Sequence, residues 1–156
     1  MSIRLATSFD AEIVSKLVID SSLSVKDQDF SDEGWALLEK TNTIESVSKR
    51  FESEKYFALI FEVQGVPAGY LAMVEFEKID HMFVMPEYRN IGIAKSLWHK
   101  AQEICVSNGN VSYYWVRSSS YAVQVYESFG FRLSGDKKIS NGISFQLMER
   151  GERNER

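Results

Sequence analysis

Short alternating runs and helix-spaced stripes succeed one another along the chain. "SIRLA" alternates like a strand, and Ile13, Val14, Leu17 and Val18 then recur at helical spacing behind Thr7 or Ser8 as cap. Thr7 and Asp10 have the spacing of a capping box. From Ser31 to Phe51 the apolar positions Trp35, Leu37, Leu38, Ile44 and Val47 predict an irregular helical stretch. "KYFALIFEV", the pair Gln64-Gly65 and "VPAGYLAMVEF" predict a hairpin, and "KIDHMFVM" predicts a third strand. The clearest helix follows, with Ile91, Ala94, Leu97, Ala101 and Ile104 on one stripe and "SNGN" as its stop. "VSYYWVR" reads as a strand and "SYAVQVYESF" as a helix ended by Gly130. "FRLSGDKKISNGISFQLM" reads as a last hairpin turning at Asn141 and Gly142.

This order predicts a mixed α/β fold in one domain over residues 1–150, with about seven mostly antiparallel strands and about four helices. The charged end "GERNER", residues 151–156, reads as a frayed tail. With 156 residues, the chain can bury roughly two thirds of its unfolded surface in one core.

The segment "FVMPEYRNIGIAKSLW" joins a strand to a helix through Pro86, Arg89 and Gly92. The first amides of a helix have no internal partner and carry the positive end of its dipole, so such a junction binds anions. Gly92 allows close approach to the backbone, and Arg89 can add charge and forked donors. There is no Gly-Lys-Ser/Thr and no three-glycine pattern, which excludes both common nucleotide loops. By spacing alone, Gly92 reads equally well as a turn-easing residue.

"RNIGIA" resembles the R/Q-x-x-G-x-G/A segment of the GNAT N-acetyltransferases, and "MFVMPEY" is similar to the strand and bend before it. "SSSYAVQVYESFGF" and "NGISFQLM" resemble two later segments of the same family, in the same order. The resemblance implies a GNAT-like fold and transfer of acetyl from acetyl-CoA to an amine by direct attack. It implies cofactor contacts from Met82, Phe83 and Val84, from Arg89, Asn90, Ile91, Gly92, Ile93 and Ala94, and from Arg117 and Ser119. Asn90, Arg117 and Gln124 stand where members of the family often carry glycine, asparagine and proline. The resemblance also makes Tyr126 the general acid that meets the departing thiolate. Periodicity alone makes it a core tyrosine sharing a face with Ala122 and Phe129.

An amine nucleophile with a pKa of about 10.4 must be deprotonated to attack. Glu75, Glu77, Asp80 and His81 are the titratable groups nearest the bend. Strict alternation puts Glu75 and Glu77 on one face, and Asp80 and His81 on opposite faces. Glu75, read as mid-strand and partly desolvated, is the first choice as base, ahead of Glu77 and Asp80; the competing reading of each glutamate is a solvated strand face, and His81 reads as a satisfied, partly buried histidine.

A net charge of -4 argues against nucleic acid as partner, and no apolar run approaches the roughly 20 residues that span a bilayer. The single cysteine, Cys105, excludes an internal disulfide and reads as core filler. The two histidines lack ligand spacing, so no metal is expected. A reducing cytoplasm is the expected setting. The acceptor is expected to be a small amine. A protein N-terminus or lysine is the alternative, as is a silent acyl-CoA-binding module, and the oligomeric state, including a homodimer, is left open.

Overall fold

Strands β2 (Tyr56–Val63) and β3 (Val66–Val74) are joined by Gln64 and Gly65 at φ 52° and 76°, the left-handed pair a tight hairpin requires. Both strands are apolar on both faces. Leu59, Phe61, Leu71 and Met73 enter one core, whereas Ala58, Ile60, Tyr70 and Ala72 enter another. Helices therefore cover each face, as a strand buried on two sides demands.

The computed structural model describes residues 1–110 and 112–153. Among these, β1 (Ser2–Leu5) leads to α1 (Ala11–Ser22), a four-residue turn α2 (Lys26–Asp29), α3 (Asp32–Thr41) and α4 (Ile44–Phe51). The expected irregular stretch is two helices, because Thr43 accepts from the Ser46 amide and starts a new one. After β2 and β3 come β4 (Lys78–Val84), α5 (Ile93–Ser107), β5 (Tyr114–Ser118) and α6 (Val123–Ser128). The strands β6 (Arg132–Leu133), β7 (Lys138–Ser140) and β8 (Ile143–Arg150) close the chain.

The strands form one eight-stranded sheet of order β1-β2-β3-β4-β5-β8-β6, with β7 on β8. Every pairing is antiparallel except β4 with β5. The mixed α/β architecture matches the expectation, with β6 an eighth strand too short to read from sequence. Helices α5 and α6 cover one face through Ile93, Leu97, Trp98, Ala101, Cys105 and Tyr126. The other face is covered by Val14, Leu17 and Val18 of α1, Leu38 of α3 and Val47 of α4.

The buried stripe of α5 begins at Ile93, not Ile91. Ile91 precedes the helix and is 61% exposed. Cys105 is buried, and burial alone pushes its thiol up to about 12. Beyond β8, the Arg153 guanidinium stands 3.6 Å from Glu77, while residues 154–156 of the expected tail, and Val111 of the expected fifth strand, lie outside the described residues.

Candidate active site

The parallel pairing of β4 and β5 is confined to Lys78 with Trp115 and Ile79 with Val116. Beyond that point β4 keeps its pairing to β3 as far as Val84, but its other edge has no strand partner among the described residues. An open edge leaves alternate backbone donors and acceptors free for a ligand. A cavity of about 620 Å³ occupies this opening. It runs from the α5 N-terminus, past α6, to the space beneath α1, α3 and the β7–β8 turn.

At one end, Gly92 caps α5 in the left-handed region at φ 88°, and Asn90 is left-handed at φ 64°. Asparagine tolerates that region best after glycine, which explains the departure there. Among the described residues, no backbone hydrogen bond from the helix start is donated by Ile93, Ala94 or Lys95; the first is Ser96 N–H to Gly92. Among the described residues, apart from its chain neighbours, nothing lies within 4 Å of a Cβ placed on Gly92, so the backbone there can be approached on that side. The geometry fits an anion such as the pyrophosphate of CoA. Asn90, Gly92, Ile93 and Ala94 line the cavity, whereas the side chain of Ile91 does not.

Arg89 donates from Nε to the Val84 carbonyl at 3.3 Å and from a terminal nitrogen to the Tyr121 hydroxyl at 3.1 Å. It thus ties the bend to the start of α6. Ser119 lines the cavity and accepts from the Ala122 amide at 3.2 Å. Met82, Phe83, Val84 and Arg117 also line it.

Tyr126 is 4% exposed, packs against Phe129 and Phe131, and borders the cavity. Burial holds its phenol well above the usual tyrosine range, so it keeps its proton at neutral pH. None of the described hydrogen bonds engages its hydroxyl. Core packing and access to the cavity thus coincide in this residue.

The expectation for Glu75 is overturned in its placement. Glu75 and Phe76 have φ 54° and 57° and form the turn between β3 and β4, so Glu75 is exposed, outside the cavity and at the end of β4 away from the bend. The alternating pattern runs through the turn because Phe76 folds back to stack on Phe57, with ring centroids 5.8 Å apart. Glu77 accepts from the Trp115 indole at 3.1 Å.

Asp80 and His81 line the cavity together. Ala72 pairs with His81 and Met73 with Ile79, leaving Asp80 as the extra residue of a β-bulge. The bulge cancels the expected alternation. Both side chains point toward the α1 face, with His81 Nε2 3.4 Å from Asp80 Oδ2. Asp80 also accepts from the Tyr56 hydroxyl at 3.0 Å, and Lys78 Nζ lies 3.8 Å away. Burial pushes the Asp80 carboxyl upward, but His81, Lys78 and Tyr56 outweigh it and hold it below its ordinary 3.8. Burial dominates at His81 and lowers its pKa below 6.5 despite the Asp80 carboxylate. At pH 7 the pair is a carboxylate beside a neutral imidazole.

The cavity has a roof. Phe30 bridges to Ile143, and the Ser31 amide donates to the Gly142 carbonyl at 2.8 Å. Asp29, 2% exposed, accepts from the Ser120 amide at 3.1 Å and its hydroxyl at 2.6 Å. These contacts tie α2 and α3 to the β7–β8 turn and the α6 entrance. Asp29 was invisible to sequence reasoning because its partner Ser120 lies far along the chain.

Residues 26–151 match the family described as Acetyltransferase (GNAT) domain. The chain belongs to the GNAT acetyltransferase family. This acyltransferase shares its fold with a GCN5-related N-acetyltransferase from Rhodopseudomonas palustris, at 20% identity and a TM-score of 0.79, over 95% of this chain and 93% of that one. The PaiA N-acetyltransferase from Thermoplasma acidophilum, solved in complex with coenzyme A, is similar at 18% identity and 0.77, over 96% and 98%. Apo YjaB from Escherichia coli gives 19% and 0.67, over 96% and 95%. No curated protein sequence matches. Among the described residues of this GNAT enzyme, no helix is long and apolar enough to cross a membrane. Nor do three His, Cys, Asp or Glu side chains converge there as a metal site would need.

Proposed function

We propose that this GNAT enzyme moves acetyl from acetyl-CoA to a primary amine on a small molecule, by direct attack, in a reducing cytoplasm. One observation carries the reading: a single cavity joins the amides at the start of α5, the Tyr126 side chain and the Asp80–His81 pair. The relative from Thermoplasma acidophilum that holds coenzyme A lends support through the shared fold. The amides of Asn90 to Ala94 would hold the pyrophosphate, and the open edge of Met82 to Val84 would run beside the pantetheine arm.

Direct attack forms the new carbon–nitrogen bond as the carbon–sulfur bond breaks, so the amine must give up a proton and the thiolate must be stabilised. The neutral His81, held beside Asp80, would collect that proton directly or through water. The Tyr126 phenol would donate to the departing sulfur. Tyr126 belongs to the α5–α6 core and the His81 pair to the opposite face, so acid and base would address the thioester from two sides. A small acceptor is supported by the roof at Phe30 and Ile143 and by the presence of Ser24, Val25, Leu37 and Leu38 in the cavity wall.

The test is a melting experiment with CoA followed by a screen of amines and peptides, reading free thiol. CoA at a hundredfold excess over its dissociation constant should stabilise the fold by about 2.7 kcal/mol. No shift at millimolar CoA would overturn the reading, and thiol release with peptides alone would overturn the small acceptor.

A further inference from the structure

Strand β5 sorts its side chains by face. Tyr114, Val116 and Ser118 are buried, and Tyr114 and Val116 join the core under α5, which sends Trp115 and Arg117 to the opposite face. Lys78 lies over the Trp115 ring at 5.2 Å, on the side that Asp80 and His81 share. Ile79 with Val116 is the last pair of the two strands, so Arg117 and Asp80 each stand one residue beyond it, where the strands part. Val84 and the anion cradle beyond it lie about 13 Å further along β4, at roughly 3.3 Å per residue. Arg117 is therefore beside the reacting end of the cavity and away from the phosphate end.

Arg89 and Lys95 line the phosphate end of the cavity, and at its other end charge balance points to Arg117. Asp80 is paired by Lys78 at 3.8 Å, and Asp29 by Ser120 and by Lys137 at 3.8 Å. Burial keeps His81 neutral. Among the described residues no carboxylate pairs with Arg117, whose guanidinium rests over the Phe145 ring at 4.8 Å. A guanidinium backed by an aromatic face, with its donors free, is shaped for a planar carboxylate, which it grips with two parallel hydrogen bonds.

We infer that the acceptor is an amino carboxylate, with its amine turned to the Asp80–His81 pair and its carboxylate held by Arg117. This rests on the acetyl-transfer reading and names the substrate class. A diamine would bring its second ammonium against Arg117 and is disfavoured on that ground. The body between the two charged groups meets hydroxyl and apolar walls at Ser21, Ser24, Val25 and Phe30, which suits a short, partly apolar chain.

The experiment compares free amino acids, their amides and their decarboxylated amines as acceptors for the wild type, Arg117→Gln and Arg117→Lys, with melting of each protein in saturating CoA as a second readout. The free acid should exceed its amide and its amine by about 10- to 100-fold in kcat/KM, the worth of one charged hydrogen-bonded contact. Arg117→Gln should erase that preference by raising KM, Arg117→Lys should keep part of it, and CoA affinity should stay unchanged in both. An amide or amine as good as the acid overturns the inference. So does an Arg117→Gln protein with weakened CoA binding and the preference intact. If no acceptor releases thiol, the acetyl-transfer reading fails, and melting judges the carboxylate site alone. An amino acid that raises Tm in the wild type but not in Arg117→Gln sustains the site; no such shift overturns it.

Discussion

His81 Nε2 stands 3.4 Å from Asp80 Oδ2 although the two residues are neighbours on one strand. The β-bulge at Asp80 makes this possible, and burial then lowers the His81 pKa below 6.5. The sign of the consequence follows from linkage. As pH falls through 6.5, the unfolded chain takes up a proton that folded His81 refuses, so stability declines with acidification. Asp80, whose folded pKa is also lowered, loses its contribution only near and below 3.8. The urea midpoint should fall between pH 7 and 5, and His81→Asn should flatten that segment. An unchanged slope in the variant would place the titration elsewhere.

Activity should follow the same pair. Asp80→Asn and His81→Asn should each lower kcat by about 10²- to 10⁴-fold, the range for a positioned proton acceptor. Glu75→Gln, in an exposed turn outside the cavity, should stay within a few-fold of the wild type. The limb of kcat/KM that belongs to His81 should lie below pH 6.5, so any further rise above pH 7 reports the acceptor amine itself. A rate loss confined to Glu75→Gln would restore the base to the turn.

Two glycines separate packing from ligand approach. A Cβ on Gly69 would stand 2.7 Å from Ile93 Cγ2 and 3.1 Å from Leu97 Cδ1, so Gly69 sets how closely α5 lies on β3. Gly69→Ala should cost about 1 to 3 kcal/mol by overpacking and should also weaken CoA binding by displacing the helix start. Gly92→Ala meets open space and costs only about 1 to 2 kcal/mol for its left-handed backbone. Its loss of CoA affinity should be as large at a smaller loss of stability. Urea melts and CoA titrations of both variants check the contrast.

What could be read from sequence was what local chemistry decides. Gln64-Gly65 and Asn141-Gly142 were legible as turns because they accept positive φ, here 52° and 76°, and 52° and 80°. The α5 junction was legible from Gly92 and its flanking apolar pattern. Two kinds of feature were not legible. The bulge at Asp80 inserts one residue against Ala72, and strict alternation cannot register an insertion. The turn at Glu75 and Phe76 uses no glycine or asparagine, so it hid inside a strand-like run. The roof was hidden for a different reason: its contacts join Phe30 to Ile143 and Asp29 to Ser120 across long stretches of chain.

Tyr126 poses the sharpest test of how packing and chemistry share one residue. Its ring lies 5.7 Å from that of Phe131 and 6.4 Å from that of Phe129, so the ring is core. Its hydroxyl takes no part in the described hydrogen bonds, and burial holds the proton on it. Tyr126→Phe keeps the ring and removes only the donor. Stability should therefore change by less than about 1 kcal/mol, because no made hydrogen bond is lost. CoA affinity should be unchanged, while kcat should fall by about 10²- to 10⁴-fold if the phenol meets the departing thiolate. A poorer leaving group makes that donor matter more, so the deficit should narrow with an acyl donor whose thiol has a lower pKa. Full activity in the Phe variant with acetyl-CoA would reduce Tyr126 to packing alone, and an equal deficit with both donors would move the hydroxyl away from the sulfur.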